Sequence, residues 1–565
     1  MKRIFLIGAA LLSATGAVQA QNNNIRQSFQ EFRQGILDDY QEFRRTILSH
    51  YADFLEGTWH EYEPLAPAKR DETPKPIKVP DVKLSQPSAG PVKLPTPHID
   101  RLPDTPVNPD KGGGFIDPGL TADGKNPVSP VSPNIPGSLL APPPVEVPEE
   151  AGKEVTPDMK INADKAKPII NVAPKLPEVP ALAEGVEVPP IVIPDEVDLT
   201  DKDIVNFYGM EIPVPKIDFH ISNSLSNAAD LSRHWKIMEE QDLAQLADEQ
   251  LMPEIKNLGL NDYLTYEFLS AWLDSKFPQA GITPKMSAVH YLMANQGYDV
   301  RIAVASESGD PIMLIPSEQM IYGVPYMTMN GRKYFLMAPP GVNTNGVRLS
   351  TCDLPKAAGN GKSVDMRING LNLPVKERPF KVSSGDITLT GSLNENLMPL
   401  VYKYPQMDTE GFAMSVLDKD LRRNLVNQLQ TQLAGKDKLA ATNEFLRFMQ
   451  FGFDYATDDE FHGFEKPYFL EENLYYPKND CEDRAIFYTY MLWNALGVEN
   501  QLLAFPGHES ASVSIPGADI RGTSYESDGK IYFISDPTYV GSATGQCMRQ
   551  YETTSPGIDH SYPDK

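Results

Sequence analysis

Cysteine is scarce in this chain: Cys352, Cys481 and Cys547 are the only three in 565 residues. So few excludes a disulfide-stapled scaffold, and an odd number leaves at least one thiol unpaired within a monomer. Long apolar runs are missing as well. The longest near the start, Ile4 to Leu12, is too short to span a bilayer. Basic charge is in deficit, with 51 Lys and Arg against 76 Asp and Glu, a net charge of −25 and a pI near 4.8. That excludes the basic footprint of a nucleic-acid binder and simple adsorption to anionic lipid. No pair of cysteines or histidines stands at zinc-ligand spacing.

What is present is unevenly distributed. Residues 1–20 read as a cleaved signal peptide. Lys2 and Arg3 precede the apolar stretch, and Val18-Gln19-Ala20 supplies small residues for cleavage. The expected location is periplasmic or secreted. Residues 21–62 carry an 11-residue repeat: Glu31 to Tyr40 is echoed by Glu42 to Tyr51, and Phe32, Phe43 and Phe54 fall in register. Eleven residues fill three helical turns, so the spacing predicts one amphipathic helix with an aromatic face. Such a stripe must dock on the C-terminal domain, self-associate, bind a protein partner or pack elsewhere on its own chain. Residues 63–200 hold 29 of the 51 prolines. Proline fixes φ and removes a donor, so 63–199 reads as a disordered, semi-stiff linker.

From about residue 200 the composition becomes globular and the expected class is α+β. Residues 200–342 mix helical and strand patterns. Residues 343–412 look like a small β domain of short alternating runs such as Asp386 to Thr390. Residues 413–565 return to helices followed by strands.

The chemistry concentrates in this last segment. Asp480 to Gly497 reads as a helix with Cys481 at its N-terminus, a buried stripe of Ala485, Tyr488, Leu492 and Ala495, and Gly497 as its stop. Backbone dipoles at a helix start favour thiolate. A strand from Val498 to Phe505 leads through Pro506-Gly507 to His508, which opens an alternating strand. Lys530 to Ser535 forms another strand, ended by Asp536 before Pro537. Cys, His and Asp thus follow in order at gaps of 27 and 28 residues, the set that a thiolate nucleophile, its base and the orienter of that base require. Downstream of Cys481 the only other histidine, His560, lacks such a strand context.

These blocks, with the string Asp480-Cys-Glu-Asp483 and Glu465-Lys-Pro-Tyr-Phe-Leu upstream, resemble the transglutaminase-like superfamily. In motif they are most similar to the bacterial transglutaminase-like cysteine proteinases. The resemblance covers about residues 413–550. It implies a papain-like, transglutaminase-like domain in which Cys481, His508 and Asp536 are catalytic and act on a protein or peptide substrate. Where the family often carries an aromatic residue shortly after its histidine, this chain has Ser510 and Ala511. The resemblance implies the Cys481 backbone N–H as one oxyanion donor and leaves the second unassigned. No cofactor is required. Some members bind calcium at the acidic string, which makes Asp480, Glu482 and Asp483 calcium candidates with hard oxygen donors; a solvated acidic helix cap is the alternative. Three carboxylates beside a thiol oppose its ionisation.

Residues 283–340 echo 481–540. A helix ending at Gly297 is followed by a strand from Val300 to Ala305, and Lys333 to Pro339 parallels Lys530 to Pro537. Gly281 then falls opposite Cys481 and Ala338 opposite Asp536, as in a degenerate copy. The leading expectation is an exported thiol enzyme that cleaves or transfers amide bonds. The rival is a non-enzymatic envelope scaffold or binding protein that reuses the fold.

Overall fold

The structure is a computed structural model. It describes residues 50–69, 201–342, 346–352 and 361–563, with Thr46, Leu48 and Thr344, and the backbone of 153–155. The expected signal peptide, most of the aromatic repeat and nearly all of the proline-rich linker lie outside these residues.

The architecture is α+β. In chain order the principal elements are α1 (Tyr51–Glu56), β1 (Trp59–Tyr62), β2 (Lys153–Val155), β3 (Lys202–Phe207), β4 (Met210–Pro215), α2 (Ala228–Glu240), α3 (Asp262–Lys276), α4 (Ile282–Asn295), β5 (Arg301–Ala305), β6 (Pro311–Pro316), β7 (Tyr326–Met329), β8 (Arg332–Met337) and β9 (Leu349–Cys352). There follow β10 (Glu377–Ser384), β11 (Ile387–Asn394), α5 (Lys419–Gln432), α6 (Lys438–Gly452), β12 (Asp454–Tyr455), β13 (Lys478–Asn479), α7 (Cys481–Leu496), β14 (Glu499–Phe505), β15 (His508–Ser514), β16 (Ser524–Ser527), β17 (Lys530–Ile534) and β18 (Gly557–Tyr562). The helices start where short polar side chains accept from the first turn. Asn261 caps α3 through Leu264 N–H, and Asp437 caps α6 through Ala440 N–H.

Two sheets organise the chain. One has strand order β2-β1-β9-β5-β6-β8-β7, the other β16-β17-β15-β14-β18. Within them, β9-β5-β6-β8-β7 and β18-β14-β15-β17-β16 have the same chain order and are antiparallel throughout. Each follows a buried helix, α4 or α7, and each half opens with a two-stranded hairpin, β3–β4 or β10–β11. Residues 202–352 thus form a middle module and 377–562 a C-terminal module. The main hydrophobic core runs through both, from Leu48 to Tyr562, and each module has a smaller cluster of its own, around Leu314 and Leu336 in one and around Phe505 and Ile534 in the other.

Three expectations are corrected. Residues 343–412 do not form a domain of their own. Leu349–Cys352 joins the first sheet beside β5, while the β10–β11 hairpin packs on α5 and α6. The predicted helix over 21–62 does not reach Tyr62. It ends at Glu56, and Trp59–Tyr62 pairs antiparallel with β9, because a sheet edge offers backbone partners that a solvent-exposed helix end lacks. The described part of its aromatic face packs on the middle module. Tyr51 is fully buried, edge-on to Trp235 at 4.6 Å, and Trp59 is buried with its indole N–H on Leu55 O. Within the expected linker, Lys153–Val155 pairs with β1 as an outer strand.

The seat of Tyr51 is sensitive to acid. Its hydroxyl lies 3.5 Å from His290 Nε2, and burial pushes the His290 imidazole down to about 3. A folded value below the unfolded one means that the folded state excludes a proton the unfolded chain binds. The contribution is fully present above about pH 6.5 and lost as pH falls toward 3. At one pKa unit per 1.36 kcal/mol, His290 should withdraw about 2–3 kcal/mol by about pH 4.5. Denaturant midpoints of His290→Gln between pH 7 and 4.5 should fall less steeply than those of the unmodified protein; parallel slopes would contradict the assignment.

Candidate active site

Cys481 is the first residue of α7 and is fully buried. The helix starts there because the chain enters as strand β13, and because the Asp483 carboxylate turns back to accept Asp480 N–H at 3.2 Å. Gly497 ends it in the left-handed region, at φ 59°, where glycine is favoured. The chain then runs up β14 and turns at Pro506-Gly507 straight into β15. Phe505 and His508 are cross-strand partners, so His508 stands at the mouth of the hairpin. Ile534 of β17 pairs with Ser512 of β15, which delivers Asp536 to the same end.

The structure brings His508 and Asp536 together. His508 Nε2 and Asp536 Oδ2 are 2.8 Å apart, and both side chains are buried. Asp536 Oδ1 accepts Thr538 N–H at 2.8 Å and Tyr539 N–H at 3.2 Å, which locks the carboxylate plane. His508 Nδ1 has no hydrogen-bond partner among the described residues. The Tyr551 ring stacks on the imidazole at 5.4 Å and 10°, and its hydroxyl donates to Pro506 O. Glu509 N–H, one residue after His508, donates to Cys481 Sγ at 3.3 Å, so Cys481 meets the strand end that carries His508. None of the three cysteines is in a disulfide.

The thiol is held neutral. Burial raises the Cys481 pKa well above its usual value, the Glu482 and Asp480 carboxylates add to this, and the Glu509 amide opposes them. Sγ–H donates to Glu482 Oε2 at 3.3 Å. Ionisation therefore needs positive charge nearby.

The acidic string divides differently from expectation. Asp483, expected as a ligand, accepts Tyr468 N–H at 2.7 Å as well as Asp480 N–H, so its oxygens serve the backbone. Asp458, not singled out in the sequence, lies beside the other two. Asp458, Asp480 and Glu482 are buried and offer one oxygen each within 4.8 Å of one another. Burial, with the charges of Asp480 and Glu482, pushes the Asp458 carboxyl up; burial and the Asp483 charge do the same to Asp480. Three carboxylate oxygens so placed are hard donors of the kind a divalent cation takes, and they are the residues that could hold one. Asp458 follows α6 by a loop and lies 22 residues before Asp480, with no periodicity to flag it.

Register identifies the middle-module counterparts. Arg301 pairs with Leu314 and Leu314 with Leu336, as Gln501 pairs with Ser512 and Ser512 with Ile534. Counting from these pairs puts Gly281, Asp310 and Ala338 at the positions of Cys481, His508 and Asp536. None of the three can serve as nucleophile and base together. Compared with known family models, curated proteins and solved structures, the chain matches none.

Proposed function

We propose that the C-terminal module is a cysteine-nucleophile enzyme acting on the amide carbonyls of protein or peptide substrates outside the cytoplasm, and that the middle module is a copy without this chemistry. The observation that carries the reading is the His508–Asp536 pair, with Nδ1 unpartnered among the described residues, at the strand end that meets Cys481 Sγ. A carboxylate accepts from Nε2–H, which leaves Nδ1 as the basic nitrogen. His508 Nδ1 takes the Cys481 proton, and Sγ attacks the carbonyl carbon. The imidazolium returns the proton to the departing amine. Water then releases the acyl group as acid, or a second amine takes it. The resemblance to the bacterial transglutaminase-like cysteine proteinases favours hydrolysis. Asp458, Asp480 and Glu482 would hold a calcium ion, whose charge would favour the thiolate of the neighbouring Cys481.

The test is Cys481→Ala in the full chain. Hydrolysis of p-nitrophenyl acetate and cleavage of, or amine incorporation into, proteins of the same compartment should fall to background. Activity equal to the unmodified protein would refute the assignment. A second reading, a binding protein that reuses the fold, is favoured by the complete burial of Cys481. It is preferred if Cys481 reacts with iodoacetamide no faster than an ordinary thiol, with or without calcium.

A further inference from the structure

The two modules differ in the connection that leads into the last strand of each sheet. Eleven residues (338–348) join β8 to β9 in the middle module, whereas 22 (535–556) join β17 to β18 in the C-terminal one. The longer connection occurs where Cys, His and Asp are present. Its first half is pinned to α6. Gln450 Nε2 donates to Asp536 O and to Ser542 O at 3.2 Å, Gly541 N–H donates to Gln450 Oε1 at 3.0 Å, and Thr544 N–H donates to Asn443 Oδ1 at 2.8 Å. Its second half brings Tyr551 to the mouth of the β14–β15 hairpin.

Tyr551 meets that mouth at three points. Its ring centre lies 5.4 Å from that of His508 at an interplanar angle of 10°, an offset stack, and 4.8 Å from that of Phe505 at 30°. Its hydroxyl donates to Pro506 O at 3.2 Å, between those two residues in the chain. Phe505 and His508 are cross-strand partners, so one side chain spans both strands and their turn. Tyr551 is buried, and it packs with Phe505, Ile534, Tyr539 and Met548 in the small apolar cluster of this module.

Resting on the enzyme reading, we infer that Tyr551 is a positioning residue that sets the plane of the His508 imidazole. The hydrogen bond to Asp536 does not set that plane alone. Rotation of a histidine ring about Cβ–Cγ is soft. The N–H bond at Nε2 points more nearly along that axis, so its contact with Asp536 survives a turn of the ring. The lone pair at Nδ1 points nearly across the axis and swings with the ring. A flat face against the imidazole opposes the swing, because turning drives one edge of the ring into Tyr551. Nδ1 is the nitrogen that the enzyme reading assigns to the Cys481 proton, so the plane decides whether the base is aimed at the thiol. Tyr551 acts through His508 and touches no reacting atom itself. Misplacing a group by about 1 Å in such a site costs on the order of 10²-fold in rate.

The experiment compares Tyr551→Leu and Tyr551→Phe with the unmodified full chain. It reads acylation of Cys481 by p-nitrophenyl acetate together with the thermal midpoint. Leucine fills the space without a flat face, whereas phenylalanine keeps the face and gives up the hydroxyl bond to Pro506 O. Acylation should slow by roughly 10²-fold in Tyr551→Leu and return to within about threefold of the unmodified rate in Tyr551→Phe, with both midpoints near that of the unmodified protein. Added to His508→Ala, Tyr551→Leu should slow the residual acylation no further, because the ring it orients is gone. A leucine variant that acylates like the unmodified protein would overturn the inference. So would a phenylalanine variant as slow as the leucine one, which would assign the effect to the bond on the Pro506-Gly507 turn. A leucine variant that melts far below the unmodified protein, or a leucine substitution that slows the His508→Ala chain as well, would mark a structural role and equally end the idea. If Cys481→Ala still hydrolyses the ester, the enzyme reading itself has failed; if it is dead while Tyr551→Leu is fast, only the assignment of Tyr551 has.

Discussion

Asp536→Asn should lower the rate of Cys481 acylation by roughly 10³–10⁴ while leaving the C-terminal module folded. The reason is the anchoring of the carboxylate. Oδ1 is held by two backbone donors, Thr538 N–H and Tyr539 N–H. In the variant those donors require the amide oxygen at that position. The amide NH2 is then turned toward His508, where Oδ2 now accepts at 2.8 Å. Facing a donor, Nε2 must become the acceptor, and the ring proton moves to Nδ1. A protonated Nδ1 on a neutral ring cannot accept the Cys481 proton, so the variant keeps its geometry and loses its base. The measurement is the p-nitrophenyl acetate acylation rate together with the thermal midpoint. A midpoint close to the unmodified protein with a collapsed rate is the expected pair. A rate within tenfold would remove Asp536 from the mechanism.

How much of this was legible depends on how local each signal is. The start of α7 is written in one stretch, with acidic residues in the first turn, an apolar stripe at helical spacing and a terminal glycine. His508 and Asp536 sit at the ends of alternating strands bounded by Pro506-Gly507 and Pro537, so their elements could be read without knowing the neighbours. The echo between Gly297 and Gly497, and between Ala338-Pro339 and Asp536-Pro537, is the visible trace of the strand order that the two sheets share. What was not legible is what distant backbone decides. Trp59–Tyr62 continued a helical repeat, yet it forms a strand because β9 presents an edge nearly 300 residues away in sequence. Leu349–Cys352 was grouped with the β segment that follows it, and instead closes the preceding sheet. Asp458 reaches Asp480 and Glu482 only because the long connection between α6 and α7 folds back on itself, with β12 and β13 bringing its two ends together. Asp483 looked equivalent to its neighbours in sequence, and only the backbone amides of Asp480 and Tyr468 separate its role from theirs.

The largest stability effect is expected at Arg422. Its guanidinium is buried, with Nε on Glu471 Oε1 at 2.8 Å and a terminal nitrogen on Glu471 Oε2 at 2.9 Å. It also donates to Ser415 O at 2.7 Å and lies 4.5 Å from the Tyr490 ring centre on α7, so it ties α5 to the site helix. Arg422→Met leaves the Glu471 charge buried without its counter-ion, and breaking one side of such a pair costs about 3–5 kcal/mol. For a unit of about 150–250 residues that corresponds to a fall of roughly 6–20 °C in thermal midpoint. Glu471 Oε1 also accepts Leu417 N–H and Asp418 N–H at 3.1 Å, at the start of α5. This decides which second substitution repairs the first. Glu471→Leu in the Arg422→Met background removes the charge but strands two backbone donors, at about 1–3 kcal/mol for each one left unsatisfied. Glu471→Gln removes the charge and keeps an oxygen for them. Adding Glu471→Gln to Arg422→Met should therefore recover most of the lost midpoint, and adding Glu471→Leu little of it. Equal recovery by both would mean that Glu471 matters only as the partner of Arg422 and that the start of α5 is held by other contacts.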